Sequence, residues 1–368
     1  MSIIEHKEIF NMMEKWAPQH LAYDWDNVGL QIGSERQKTT KVITSLDVTE
    51  KVVDEAIDKG ANLIIAHHPL FFKVTKQINM DEWKGELIQK IVKNDISIYA
   101  THTNFDIANG GMNDILCDKL SIQKREIIEK TYSEKLFKLI VYVPEDDVET
   151  VHQALGDAGA GHIGNYSHCA FKSPGVGTFK PEEGTNPYIG GINDQTFVNE
   201  FKLEMVLKGT EISQIISVLK NVHPYEEVAY DLIQLNNDGP EFGLGRIGNL
   251  EISMSLQSLI SKIKSLFNPN QLRYVGDLNK EIKKVAIIAG SGEKFIEKVI
   301  KKGADVFITG DVTFHQAQEA AEMGLAIIDP GHYVEEVIKE SIQQYLQKHF
   351  PSVTFLSSSI NTDPFQSF

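Results

Sequence analysis

Residues 41–65 and 284–308 lie on one another without a gap, and Lys41, Val42, Glu50, Lys51, Ile57, Lys59, Gly60, Ala61 and Ile65 each recur as the same residue in the second copy. Each copy spells a strand, a helix and a strand. In the first, residues 41–48 (KVITSLDV) form an apolar run of strand length, and Thr49 stands where a helix needs its N-cap. Residues 50–59 carry the helical pattern, Gly60 is a C′ residue free to adopt positive φ, and 61–66 (ANLIIA) make the next strand. In the second, 284–288 and 304–308 are the strands, 293–302 the helix and Gly303 its stop. Strands joined through a helix by short loops pair in parallel with a right-handed crossover, so the chain is an α/β protein.

The correspondence continues past the repeat. A helical pattern at 83–94 and a strand at 96–100 lead into His102-x-x-x-Asp106, and a strand at 325–328 leads into His332-x-x-x-Glu336. We read two related α/β half-units packed about one pseudo-twofold axis into an outer domain. Open α/β sheets bind ligands beyond the carboxyl ends of their strands, where both patterns fall. Ahead of this framework Ile9, Met12, Met13 and Trp16 recur at helical spacing, in a helix that ends before Pro18.

Between the halves the order of elements changes. Strands are expected at 137–143, 166–171, 201–207 and 227–234, helices at 145–158 and 211–222, and a glycine- and proline-rich loop at 173–193. That order, β-α-β twice over, is a ferredoxin-like split unit. It divides the chain into a discontinuous domain of residues 1–130 and 241–368 and an inserted α+β domain of residues 131–240.

Lysine and arginine number 36 against 51 aspartates and glutamates, a formal net charge of −15 over 368 residues. Such a surface repels phosphate backbones. The densest basic stretches, 280–284 and 298–302, are broken by glutamate or apolar residues, so nucleic acid is not an expected partner. Cys117 and Cys169 are the only cysteines, which excludes a disulfide framework and a metal site built of thiolates alone. Glu5, Glu8 and Glu14 make the first residues unlike a signal peptide, and no apolar run nears the ~20 residues of a membrane span. A soluble, cytoplasmic protein with no membrane partner is expected.

His67 and His68 end a hydrophobic strand. Neighbouring strand residues point to opposite faces, so both rings reach one site only where the strand has stopped, and Pro69 stops it. At i, i+4 on a helix, His332 and Glu336 share one face, an arrangement that offers a metal two ligands from one element. Glu335, at i+3, is the second choice. Asp106 adds a hard oxygen. Three imidazoles and two carboxylates exceed what a structural zinc needs and suit two divalent ions about 3.5–4 Å apart, with positions left for water. Nitrogen and oxygen ligands without thiolate favour zinc and admit iron, manganese or cobalt.

Four strings, DNVGLQIG from Asp26, LIIAHHPLFF from Leu63, THTNFD from Thr101 and DPGHYVEE from Asp329, together resemble the Nif-three-like family, whose members are called GTP cyclohydrolase 1 type 2 homologs. The resemblance reaches both ends of the chain. It implies a dinuclear metal centre, two divalent ions per subunit, held by His67, His68, Asp106, His332 and Glu336 and facing the internal cavity of a ring-shaped homohexamer. It also implies that residues of about 130–240 are the insert of the longer bacterial members, similar to PII and CutA proteins.

Other polar residues group around that centre. His102 is a sixth ligand or a hydrogen-bond partner behind the ligands. Asp311 and His315 align with the 67–72 stretch and are candidate proton-transfer or substrate groups, and His102 and His315 are the expected catalytic shuttles. Asp26 and Asn27 orient water at the metals or cap a turn. Gly243-x-Gly245-x-x-Gly248 spells a dinucleotide fingerprint, but residues 249–253 read as strand or loop instead of the helix that would hold a pyrophosphate. His223-Pro224-Tyr225-Glu226-Glu227 is a turn before a strand or a ligand-binding segment of the insert, and Cys117 is core.

Two functions follow. One is a metal-dependent hydrolase whose activated water attacks a small-molecule substrate, a nucleotide ring as in GTP cyclohydrolase chemistry or a phosphoester. The other is a non-catalytic, metal-binding regulatory scaffold whose PII-like insert binds an effector or partner. No P-loop or base-reading motif selects guanine.

Overall fold

The computed structural model describes residues 4–73 and 75–366. Its contacts divide the chain into two compact units, Met1–Tyr132 with Phe242–Phe368, and Ser133–Glu241.

The first unit opens with a helix, His6–Trp16, which buries Ile9, Phe10 and Met13 and ends at Ala17, ahead of Pro18. Strands β1 (Gly29–Ile32), β2 (Lys41–Ser45), β3 (Leu63–Ala66) and β4 (Ser97–Ala100) follow. Helix Glu50–Lys59 connects β2 to β3, and helix Trp83–Lys93 precedes β4. The first of these starts and stops where its caps are written. Thr49 accepts a hydrogen bond from the Val52 amide, and Gly60 takes the left-handed conformation at φ 68°. β2, β3 and β4 pair in parallel, and β1 closes the sheet antiparallel to β4.

Strand β5 (Ile122–Pro144) carries the chain into the second unit, which contains β6 (Ala170–Phe179), β7 (Thr196–Lys208) and helices Val148–Asp157 and Ile212–Val222. β8 (Tyr230–Ser255) leads out again. Within the unit the strand order is β6-β7-β5, antiparallel throughout. Leu139, Val141, Val151, Leu203 and Leu219 form its own core. One expectation changes here. The segment 166–171 is not the strand; β6 runs over 170–179, into what its glycines and proline marked as loop. Pro174 is tolerated because β6 is the outer strand of this part of the sheet, where a missing N–H breaks no ladder.

The first unit resumes with β9 (Arg273–Val275), β10 (Glu281–Ser291), β11 (Val306–Gly310), β12 (Ala326–Asp329) and β13 (Thr354–Ser357). β10, β11 and β12 are parallel, with β8 and β9 antiparallel on their flanks. β13 joins the other sheet, parallel to β2. Gly243, Gly245 and Gly248 all lie inside β8, so the fingerprint they spell continues as strand instead of opening a helix. One apolar cluster links the two sheets, bringing Val42, Leu63 and Phe105 into the same core as Val285, Phe307 and Ile327. Burying each such side chain is worth ~1.5–3 kcal/mol and fixes the strand ends that carry the polar residues. No helix among the described residues is long and apolar enough to cross a membrane.

Candidate metal centre

Four histidines leave the carboxyl ends of strands in the first unit and turn toward one another. His67 and His68 follow β3, His102 follows β4, and His332 follows β12 by a short turn through Gly331. Ring centroids lie 5.1 Å apart for His67 and His68, 5.2 Å for His67 and His102, and 5.3 Å for His68 and His332.

Each ring is held by its Nδ1. His67 donates to the Thr101 carbonyl at 2.8 Å, His68 to Asp47 at 2.7 Å, His102 to Asp26 at 2.9 Å, and His332 to Asp311 at 2.7 Å. A histidine anchored through one nitrogen presents the other with a defined orientation, the pattern found behind metal-ligating imidazoles. Asp26 is itself fixed by the backbone amide and hydroxyl of Thr103. Asp311 holds φ 56°, in the left-handed region that aspartate tolerates better than most residues.

The carboxylate among these rings is Glu335, the second choice from the sequence, and not Glu336, the first. Residues His332–Val337 form a 3-10 helix, in which i and i+3 eclipse, whereas i, i+4 would share a face on an α-helix. Glu335 Oε2 lies 3.1 Å from His332 Nε2, 3.2 Å from His68 Nε2 and 3.8 Å from His67 Nε2. Glu336 turns away and pairs with Lys339 at 3.0 Å. Room for Glu335 is made by Gly290, where a Cβ would stand 2.6 Å from Glu335 Oε1 and 3.2 Å from His332 Nε2. Asp106, on the short helix Thr103–Ile107, points its Oδ1 to within 3.6 Å of His67 Nε2.

His67, His68, Asp106 and His332, expected as ligands, are thus together. His102 stands with His67 and His68 as a third nitrogen. His315 does not join them; it is exposed on helix Phe314–Glu322 with its ring against Phe314. Asp47 belongs to no motif in the sequence. Its signal was positional, an acidic residue just past β2, beside the His67-His68 pair that leaves the neighbouring strand.

The charges are arranged for a cation. His67 Nε2 and Asp106 Oδ1 are buried with no hydrogen-bond partner among the described residues, an arrangement that costs free energy unless something else meets them. Burial drives His67 down to about 3, so its ring is neutral and keeps a lone pair. Burial also pushes Asp106 well up, reinforced by the nearby Glu335 charge. For His68 burial works the other way, but hydrogen bonds to Asp47 and Glu335 prevail and raise it to about 9. His332 rises to about 10 for the same reason, through Glu335 and Asp311. Glu335 is held well below the usual carboxylate range, its burial outweighed by His332 and His68. Three ligand groups fit a metal ion by distance: His67, Asp106 and Glu335; His68, His332 and Glu335; and His67, His68 and His102. A cavity of about 1090 Å³ opens onto His68 and His332, with Phe72, Trp83, Lys84 and Arg273 on its walls.

A curated protein of Halalkalibacterium halodurans named GTP cyclohydrolase 1 type 2 homolog is 44% identical over 369 residues, covering 99% of each chain. Its namesake in Bacillus subtilis is 43% identical over 367 residues, covering 98% of each. The crystal structure of a Bacillus cereus protein related to NIF3 superposes with a TM-score of 0.93 at 44% identity, covering the whole of both chains. The model of the Duf34/NIF3 (NGG1p interacting factor 3) family matches residues 4–364, and the chain belongs to that family.

Proposed function

We propose that the chain is a dinuclear metal-dependent hydrolase. The observation that carries this reading is the position of Glu335, whose one carboxylate is common to the His67–Asp106 group and the His68–His332 group. Those residues would hold two divalent ions, with zinc the first candidate from the donor set. Bound ions would supply Lewis acidity, activating water near neutral pH and polarising the bond under attack.

The protein's own groups supply the rest. Asp47, Asp26 and Asp311 fix the tautomers of His68, His102 and His332, so that each ring offers Nε2 to the centre. His102, tied back at Nδ1 to Asp26 and grouped with His67 and His68, is placed to hold or pass a proton. Phe72 and Trp83 give the cavity ring surfaces against which a planar substrate can stack, and Arg273 and Lys84 can meet an anionic end. That chemistry fits a nucleotide or another phosphoester, and the name borne by the relatives points to the former.

Around this centre we place two half-units related by a pseudo-twofold axis, supported by the parallel trios β2–β4 and β10–β12. The β-α-β-β-α-β order of the second unit supports a ferredoxin-like, PII-type insert. The family resemblance supports a cytoplasmic homohexamer, and light scattering on the eluting protein measures the subunit number.

The test is turnover. Metal-depleted protein reloaded with zinc, manganese or iron is assayed against GTP and a phosphoester panel. Hydrolysis that disappears in His67→Ala and Glu335→Gln, with the fold intact by circular dichroism, supports the reading. Fully loaded protein inert to every substrate contradicts it.

A further inference from the structure

The second unit contains a cavity of its own, about 670 Å³, within the size range of small-molecule sites. It is formed entirely by residues of the insert and is independent of the metal centre. Its walls are aromatic. The ring of Tyr225 meets Phe179 at 5.8 Å and 64°, and Tyr188 at 6.3 Å and 56°, so three rings stand at steep angles around a common space. Tyr142 lines the same cavity.

A carboxylate lies against this box. Glu200 is only 8% exposed, and one of its oxygens accepts a hydrogen bond from the Tyr225 hydroxyl at 2.7 Å. Gly177, on the neighbouring strand, makes the space for it: a Cβ there would come within 2.0 Å of Glu200 Oε2. Glu226 and Glu227 add negative charge at the wall. Lys202, the cavity's own cation, is drawn to Glu204 at 3.1 Å. The wall therefore carries three carboxylates against one already-paired ammonium.

The HPYEE segment builds the site. The Tyr225 amide donates to His223 Nδ1 at 3.1 Å, which leaves the proton on Nε2 to be donated to the Tyr142 carbonyl at 3.0 Å. His223 is buried, and burial lowers its proton affinity, so the neutral ring acts as a brace that joins Tyr225 to β5. An apolar cavity has no need of a buried glutamate. Aromatic faces carry negative potential, and a carboxylate beside them adds to it, so the combination selects positive charge spread over an apolar body.

We propose that the insert binds a small organic cation, an alkylated or aryl-bearing ammonium, between Tyr225, Tyr188 and Phe179 with Glu200 as its counter-ion. The site gives this unit a ligand that needs neither the metals nor the first unit's cavity.

Full-length protein is titrated with benzyltrimethylammonium, with neutral benzyl alcohol and with phenylacetate, by calorimetry and by ligand-observed saturation-transfer NMR. The cation is expected to bind at least tenfold more tightly than either other probe. Glu200→Gln is expected to weaken the cation by about tenfold while leaving the neutral probe little changed, and Tyr188→Ala, which removes a ring that is 56% exposed, to weaken the cation by about tenfold. The exposed Tyr188 keeps the test independent of any folding defect caused by the buried glutamate. Equal binding of the three probes, or binding of none, overturns the proposal. So does a preference for the cation that survives both substitutions, because the cation would then sit elsewhere.

Discussion

His332 Nε2 and Glu335 Oε2 stand 3.1 Å apart across one turn of a 3-10 helix. That turn sets which of two adjacent glutamates reaches the histidines, and it separates two substitutions that look alike in the sequence. Glu335→Gln is expected to lower bound metal to roughly half or less, because a shared ligand is lost. Glu336→Gln is expected to leave metal content unchanged, because the Glu336 carboxylate pairs with Lys339 instead of reaching the histidines. Metal analysis of the two purified variants by mass spectrometry checks both.

The aspartates behind the rings should be felt without touching a metal. Asp47→Asn and Asp26→Asn leave the ring nitrogens at Nε2 in place but remove the charge that orients them. Each is expected to weaken metal affinity ~10–100-fold. Competition against a chromophoric chelator measures the loss.

Gly290→Ala tests the space reserved for Glu335. The new Cβ would stand 2.6 Å from Glu335 Oε1, and φ 58° at this position adds backbone strain. Metal binding should fall while the secondary structure measured by circular dichroism stays intact. Unchanged metal affinity would show that the carboxylate has another way in.

Removal of metal should destabilise the first unit. Buried His67 Nε2 and Asp106 Oδ1 have no hydrogen-bond partner among the described residues, so a cation that meets them stabilises the folded form. At a free ion concentration one hundred times Kd the effect is about 2.7 kcal/mol per site, a thermal midpoint several degrees higher. Calorimetry with and without chelator reads it.

Cys117 provides a pH signature away from the metals. Burial pushes its thiol from 9.0 up to about 12, so the folded chain keeps a proton that the unfolded chain releases. The unfolded state then binds fewer protons between about pH 9 and pH 12. Stability should accordingly be full below pH 9 and fall by about 1.4 kcal/mol per unit above it. In Cys117→Ala that component disappears, and the difference between the two denaturation curves isolates it. Below pH 9 a thiol reagent should reach Cys169 first and Cys117 only on unfolding.

What the sequence made legible was whatever short-range chemistry decides. Thr49 and Gly60 bracket their helix, and the apolar runs at β3 and β11 place His67 and Asp311 at strand ends. Glu335 ranks second to Glu336 in the sequence because the choice between i+3 and i+4 depends on helix type, and no residue of the His332–Val337 segment announces a 3-10 turn. β6 was hidden because its glycines and Pro174 are those of a loop, and only its pairing with β7 makes it a strand. Asp47 was hidden because its partner His68 is supplied by the next strand, a relation that only the sheet register reveals.

An anomalous-scattering map from crystals of the zinc-loaded protein tests the central claim most directly. The account predicts two peaks, one against His67 and Asp106 and one against His68 and His332, with the Glu335 carboxylate touching both. A single peak, peaks that do not touch Glu335, or no peak near these residues under metal-replete conditions would contradict it.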